Sequence, residues 1–394
     1  MLESYSTKDL KAILANEKFP CALLDIDNFD KNLKTIGDHL RRAGKSMRLC
    51  TKSVRVPDLV KRVTEQDFVN GVFVSSAAEA LYCAEVIKIK DIMLGYPLMT
   101  DSDANDLCAA KKIPGTKISA MVDAAAQLEV IEAAASTNGV ILDFIVDVDM
   151  ADSFLGNKVG VYRSPLRDAD DIIALIKIAE QRCTHLHYAG IMGYEAQNAS
   201  IDDRSGFMRW IKKRSRVHVN KQRQQIFDSL TRAGYKPSIV NGGGSGCFQD
   251  TAAEPAVTEL GIGSLLFKPH MFDGFASLRP FTPSMFFAIM IVRKPCENIA
   301  TAFSGGYVSS GVRALPVVHS PANVVPLKRE GFGEVQTPLK FDQRRMSISP
   351  GDVALCRFGK AGEPMEFFNE VLIVSEGKIV DRDKTYRGLG KKFF

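Results

Sequence analysis

"GVFVSSAAEALYCAEVIKIKDIMLGYP", residues 71–97, reads as strand, helix and strand in one short stretch. Its two ends, Gly71–Ser75 and Asp91–Tyr96, are short apolar runs of the length of a buried strand. The segment between them, "SAAEALYCAEVIKI", is rich in alanine, leucine and glutamate, with apolar residues at helical spacing. A strand, a helix and a second strand in succession form the unit from which parallel sheets are built.

The same alternation extends in both directions. Further β-rich runs occur at Met47–Thr51, Lys117–Asp123, Leu142–Asp149, His187–Tyr194, Pro237–Asn241 and Val257–Gly263, with helix-like segments such as "DAAAQLEVIEAAAS" between them. Eight strands in helical alternation predict a closed (β/α)8 TIM barrel, an α/β architecture, with an open doubly wound sheet as its competitor. After Phe272 the texture changes to "FAIMIVRKP", "ATAFSGGYVSSG", "GDVALCRF" and "EVLIVSEGKIVD", strands joined by proline and glycine turns. The expected division is an N-terminal segment plus barrel over 1–272 and an all-β domain over 273–394. The early run "FPCALLDID" is expected to add a strand to the β domain or to the domain junction.

Composition removes several function classes. The chain has 394 residues, 45% of them hydrophobic, enough for two buried cores. No apolar run approaches the roughly 20 residues of a membrane helix, and "MLESYSTKDLKAIL" lacks the layout of a signal peptide, so the expected address is the cytosol. Eight cysteines stand singly, without a CxxC pair, as reduced thiols filling core space do. A formal charge of +5 from 51 basic and 46 acidic residues is too small an excess to argue for nucleic acid. The basic run "RWIKKRSRVHVNKQR", Arg209 to Arg223, is expected to be a solvated helix face.

In a barrel of this kind the reacting groups project from the C-terminal ends of the strands. Lys52, in "MRLCTKSVRVP" (47–57), stands at the end of the first strand, between Thr51 and Ser53. Burial there would lower its pKa and leave a free amine to attack a carbonyl. A lysine reaching for solvent fits that position equally well. Two glycine-rich loops shift the balance: "NGGGSGCF" (241–248) after the seventh strand and "GIGS" (261–264) after the eighth, where such barrels commonly bind phosphate. An amine after the first strand together with glycine loops after the seventh and eighth suits a phosphorylated aldehyde, pyridoxal phosphate.

The motifs "CALLDIDNFDKNL", "RLCTKSVRVP", "DIMLGYP", "GVYRSPL", "AGIMGYEA", "NGGGSG", "MFDGF", "GGYVSSG", "GEVQTPL", "KAGEPMEFFNE" and "KTYRG" run through nearly the whole chain. In them the sequence resembles the alanine-racemase-type, fold-type III pyridoxal phosphate enzymes. Within these it is similar to the D-threonine aldolase and D-serine dehydratase group, and to bacterial proteins labelled amino acid deaminase/aldolase. The resemblance implies that Lys52 bonds the cofactor. It also implies that Gly244, Ser245 and Gly246 hold its phosphate, with Ser264 as a further donor, and that Tyr194 stands near its ring. A homodimer is implied as well.

There are departures. The metal-dependent members carry a histidine with a cysteine or acid in the β domain, but "CRFGKAGEP" has Phe358 and Lys360 there. His319 and His270, in the same half, lack a partner at ligand spacing. No metal is therefore expected, and Lys360 would stand where the cation does. The arginine usual near the fifth strand is also missing, with Arg163 the nearest alternative. Glu334, Gln336 and Lys360 are the candidate catalytic groups from the β domain, although each suits a turn or surface equally. The expected function is a pyridoxal phosphate-dependent lyase that cleaves or dehydrates a small β-hydroxy D-amino acid. An amino acid racemase using Tyr307 as second acid/base, or a non-catalytic pyridoxal phosphate carrier, are the alternatives.

Overall fold

The computed structural model describes residues 2, 5, 7–154, 156–311 and 315–394. Its contacts divide the chain into two compact units. One comprises 36–52, 58–263 and 393–394, the other 1–35, 53–57 and 264–392.

The first unit is the barrel. Its strands are β2 (Ser46–Cys50), β3 (Val69–Val74), β4 (Asp91–Leu94), β5 (Lys117–Val122), β6 (Leu142–Asp147), β9 (Leu186–Gly193), β10 (Ile239–Gly242) and β11 (Glu259–Ile262). Among the described residues these eight pair in parallel and close on themselves, β11 against β2 through Leu260 and Met47. All eight lie where the alternation placed them, which bears out the (β/α)8 architecture. In residues 71–97, Ser76 caps the helix Ala77–Tyr82 by accepting from the Glu79 amide at 3.2 Å, and Glu79 returns a carboxylate to the Ser75 amide at 2.8 Å.

Side chains alternate across each strand. Met93, Met121, Ile145 and Met192 therefore meet in the interior, while Leu142, Phe144 and Val146 take the opposite face of β6 and are equally buried. Buried charges are also present: the Arg48 guanidinium donates to Glu259 at 2.6 and 3.0 Å and to Asp91 at 2.6 Å, and Asn241 donates to Glu259 at 2.9 Å. Pairing and hydrogen bonding are what make such charges tolerable away from water.

Two features of this unit differ from expectation. The connection after β6 forms a small antiparallel hairpin, β7 (Asp152–Phe154) with β8 (Asn157–Val159). The basic run lies on the helix Gly206–Arg232, but Lys212 and Arg223 are 1% exposed, so the run is not a uniformly solvated face. Arg223 turns inward because buried carboxylates receive it there.

The second unit is a nine-stranded sheet. It is built from β1 (Cys21–Asp25), β12 (Met285–Cys296), β13 (Ile299–Phe303), β14 (Val317–Ser320), β15 (Val325–Pro326), β16 (Gln336–Lys340), β17 (Val353–Arg357), β18 (Glu370–Ser375) and β19 (Lys378–Lys384). The "FPCALLDID" strand, β1, sits inside this sheet, antiparallel to β12 and parallel to β18. Leu23, Phe286, Leu355 and Leu372 form its core together with Leu10 and Leu14. The contacts divide the chain after Gly263, and residues 1–35 group with the sheet, of which β1 is an interior strand. Among the described residues no helix is long and apolar enough to cross a membrane.

Candidate active site

Lys52 occupies the 3₁₀ turn Thr51–Ser53 that leaves the C-terminal end of β2. Thr51 is buried and donates its hydroxyl to the Phe73 carbonyl of β3 at 3.2 Å, which fixes the start of the turn. The Lys52 ammonium donates to the Tyr96 hydroxyl at 2.8 Å. Tyr96 stands just beyond the end of β4, so the two groups meet at the barrel's C-terminal mouth.

Burial draws the Lys52 ammonium down, while the negative forms of Tyr96, Cys50 and Tyr194 draw it up, and the balance is upward. The depressed value expected from burial alone does not appear. Two of the raising partners are themselves reluctant acids: burial pushes the Cys50 thiol up to about 11 and raises Tyr194. Their pull on Lys52 therefore belongs to alkaline solution, and desolvation acts unopposed by them nearer neutrality.

Tyr194 follows β9, and the Arg163 guanidinium lies 5.1 Å from the centre of its ring. Its ring also borders the glycine loop, since a Cβ on Gly244 would lie 3.1 Å from Tyr194 Cε2 and 3.1 Å from the Ala199 methyl. Gly243, at φ +78°, makes the turn into this loop. Beyond it, Gly244 and Gly246 are buried, and among the described residues their amides have no protein acceptor. Buried amides are rarely left unpaired. Lys52, Tyr194 and the Gly244–Gly246 arc thus belong to one mouth, with an amine and an anion cradle. That donor set fits pyridoxal phosphate, which needs both.

The remaining candidates belong to the sheet unit. Ser264 pairs its hydroxyl with that of Ser53 at 3.0 Å. The Lys360 ammonium donates to the Ser310 hydroxyl at 3.2 Å, and the Glu363 carboxylate accepts from the Ser310 amide at 2.9 and 3.0 Å. Glu334 and Gln336 are exposed, Gln336 at the start of β16 opposite Phe303. Phe358 is buried against Phe287 and offers no ligand.

Two further residues stand at the mouth, Tyr96 and Asp147. Tyr96 was visible only as a tyrosine after a strand, a position that barrel logic marks. Asp147 ends β6 on the same face as Ile145, and its carboxyl is pushed up to about 7, by burial first and then by Asp123, with Arg163 pulling it back. Two acids at the ends of adjacent strands were the available signal.

Comparison with known proteins bears on the family and the fold. The alanine racemase N-terminal domain family matches residues 24–270. A 3-hydroxy-D-aspartate aldolase of Paracoccus denitrificans is 23% identical over 248 residues, which are 63% of this chain and 60% of that protein. The match therefore spans less than two thirds of the relative's length. Among solved structures, D-threonine aldolase from Filomicrobium marinum superposes with a TM-score of 0.84 at 18% identity, covering 95% of this chain and 96% of that one. D-threo-3-hydroxyaspartate dehydratase from Delftia sp. HT23 gives 0.74 at 14%, covering 95% and 98%.

Proposed function

The chain belongs to the alanine racemase N-terminal domain family, and from that premise we propose that it is a pyridoxal phosphate-dependent lyase acting on a small β-hydroxy D-amino acid, by aldol cleavage or dehydration. The observation that carries this reading is the Lys52 amine at the barrel mouth beside a glycine loop with two buried amides that have no protein acceptor among the described residues. The names of the similar proteins, two aldolases and a dehydratase, support the reaction class.

Pyridoxal phosphate, when bound, withdraws electrons from the bonds at the substrate's Cα. Everything else falls to the chain. Lys52 Nζ would be the group that holds the cofactor's aldehyde, and as a free amine it could take or return a proton at the substrate's Cα. Tyr96 Oη accepts from Nζ and holds it in place. The amides of Gly244 and Gly246, with the Ser245 hydroxyl and Ser264 as further donors, bind the phosphate. Tyr194 would stand near the ring, and Arg163, over the Tyr194 ring, is the nearest alternative to the missing strand arginine. In this reading Lys360 supplies a fixed positive charge for the substrate hydroxyl or carboxylate in place of a metal, and Glu334 and Gln336 are the further candidate groups of the sheet unit. The assembly is a homodimer in the cytosol.

A racemase needs a second acid/base, and Tyr307 was its candidate. The Tyr307 hydroxyl is bonded to Ser304 at 2.8 Å and its ring is packed among Phe287, Phe367 and Phe368. This favours the lyase. The sheet unit likewise has no use in a mere carrier. A panel of D- and L-β-hydroxy amino acids given to the holoprotein, with aldehyde, keto acid and optical inversion followed separately, tests the proposal. Inversion without aldehyde or keto acid makes it a racemase.

A further inference from the structure

The glycine loop is held from behind by a buried charge cluster drawn from three separate segments. Glu195, directly after Tyr194, is 1% exposed, as is Arg223 from the helix Gly206–Arg232. One Glu195 oxygen accepts from the Gly243 amide at 3.1 Å and from Arg223 at 2.9 Å. The other accepts from the Thr251 hydroxyl and lies 3.7 Å from Cys247 Sγ. One carboxylate therefore grips the loop before Gly244 and again after Gly246. The same Arg223 nitrogen donates to the Gly193 carbonyl at 2.9 Å, next to Tyr194, and the guanidinium also pairs with Glu254. A Cβ at Gly242 would come within 2.9 Å of Arg223, so the strand end is packed directly onto the guanidinium.

A carboxylate beneath an anion loop is electrostatically unwelcome to the anion. Arg223, shared with Glu254, offsets part of its charge, and what it contributes is geometry: it takes the Gly243 amide for itself and leaves those of Gly244 and Gly246 to the ligand. We propose that Glu195, clamped by Arg223 and Thr251, is a positioning residue that presets the Gly244–Gly246 arc to receive the phosphate of the cofactor. This rests on the reading of that arc as the phosphate site. It predicts selectivity for the phosphate and not for the aldehyde, because Lys52 is held by a different contact.

The test titrates the full-length apoprotein with pyridoxal phosphate and with pyridoxal, which lacks the phosphate, and follows the absorbance of the lysine adduct. Glu195→Gln and the milder Thr251→Val are expected to weaken pyridoxal phosphate by about tenfold or more while changing pyridoxal by less than about twofold. Thr251→Ser, which keeps the hydroxyl, is expected to restore the wild-type value. Equal losses for both ligands, or no loss for pyridoxal phosphate in a folded Thr251→Val protein, overturn the proposal. A wild-type protein that binds the two ligands equally refutes the phosphate site itself, and the positioning role with it. Thr251→Val keeps the test decisive if Glu195→Gln does not fold.

Discussion

Lys52 gives a hydrogen bond to the Tyr96 hydroxyl across the barrel mouth at 2.8 Å, from the turn after β2 to the residue beyond β4. Tyr96 heads the partners that raise the Lys52 ammonium. Tyr96→Phe removes that acceptor, so the amine loses its proton more readily. A hydrogen bond to a charged group is worth about 1.5–3 kcal/mol, so a shift of about one to two pH units is expected. The pH profile for capture of pyridoxal phosphate by the apoprotein should move to lower pH. An unmoved profile shows that Tyr96 does not set the state of Lys52.

Gly244 leaves little room for a side chain. A methyl there would sit 3.1 Å from both Tyr194 Cε2 and Ala199 Cβ, tighter than ordinary contact. Gly244→Val is expected to displace the loop and cost a few kcal/mol of cofactor affinity, about two hydrogen bonds to a charged group. Retention of the cofactor through extended dialysis measures it. Full retention would place the phosphate elsewhere.

Asp147 makes stability depend on pH in a definite direction. An acid whose folded value is raised to about 7 contributes fully below its unfolded value of about 4 and loses that contribution as pH rises through 7. At 1.36 kcal/mol per unit the loss has an upper bound of about 4 kcal/mol. Asp147→Asn carries no charge at any pH. Urea unfolding at pH 5 and pH 8 should therefore differ less in the variant than in the wild type, and the variant should gain most at pH 8. A pH response identical to that of the wild type refutes the assignment.

The eight barrel strands were legible because an apolar run, a helical period and a second apolar run recur along the chain, and because position at a strand's C-terminal end singles out Lys52. The contacts that shape the site were not. Arg223 meets Glu195 and Glu254 at sequence separations of 28 and 31 residues, so no local pattern records their pairing. On its own helix Arg223 is one cation among many, and only the tertiary fold decides that it points inward. Tyr96 lies within "DIMLGYP" (91–97), but a tyrosine at a strand's end reads equally as packing. The strand β1 was legible as a strand, yet its place inside the sheet depends on partners more than 200 residues away.

Lys360 replaces a cation in this account. Its ammonium, now on the Ser310 hydroxyl at 3.2 Å, would repel a divalent ion by a few kcal/mol in a partly solvated pocket. Turnover is expected to survive exhaustive chelation. It should fall at least about tenfold in Lys360→Met, which keeps the length of the stem and drops the charge. Loss of turnover on chelation, restored by manganese or zinc, would refute the replacement and make Glu363 and His319 the ligands to test.

The central claim is that Lys52 holds pyridoxal phosphate, and borohydride reduction tests it most directly. The purified holoprotein, reduced with borohydride and digested, should carry the cofactor's mass on the peptide containing Lys52, with loss of its visible absorbance. Lys52→Ala should carry none. A label of equal stoichiometry in Lys52→Ala, or a wild-type label on another lysine, contradicts the account.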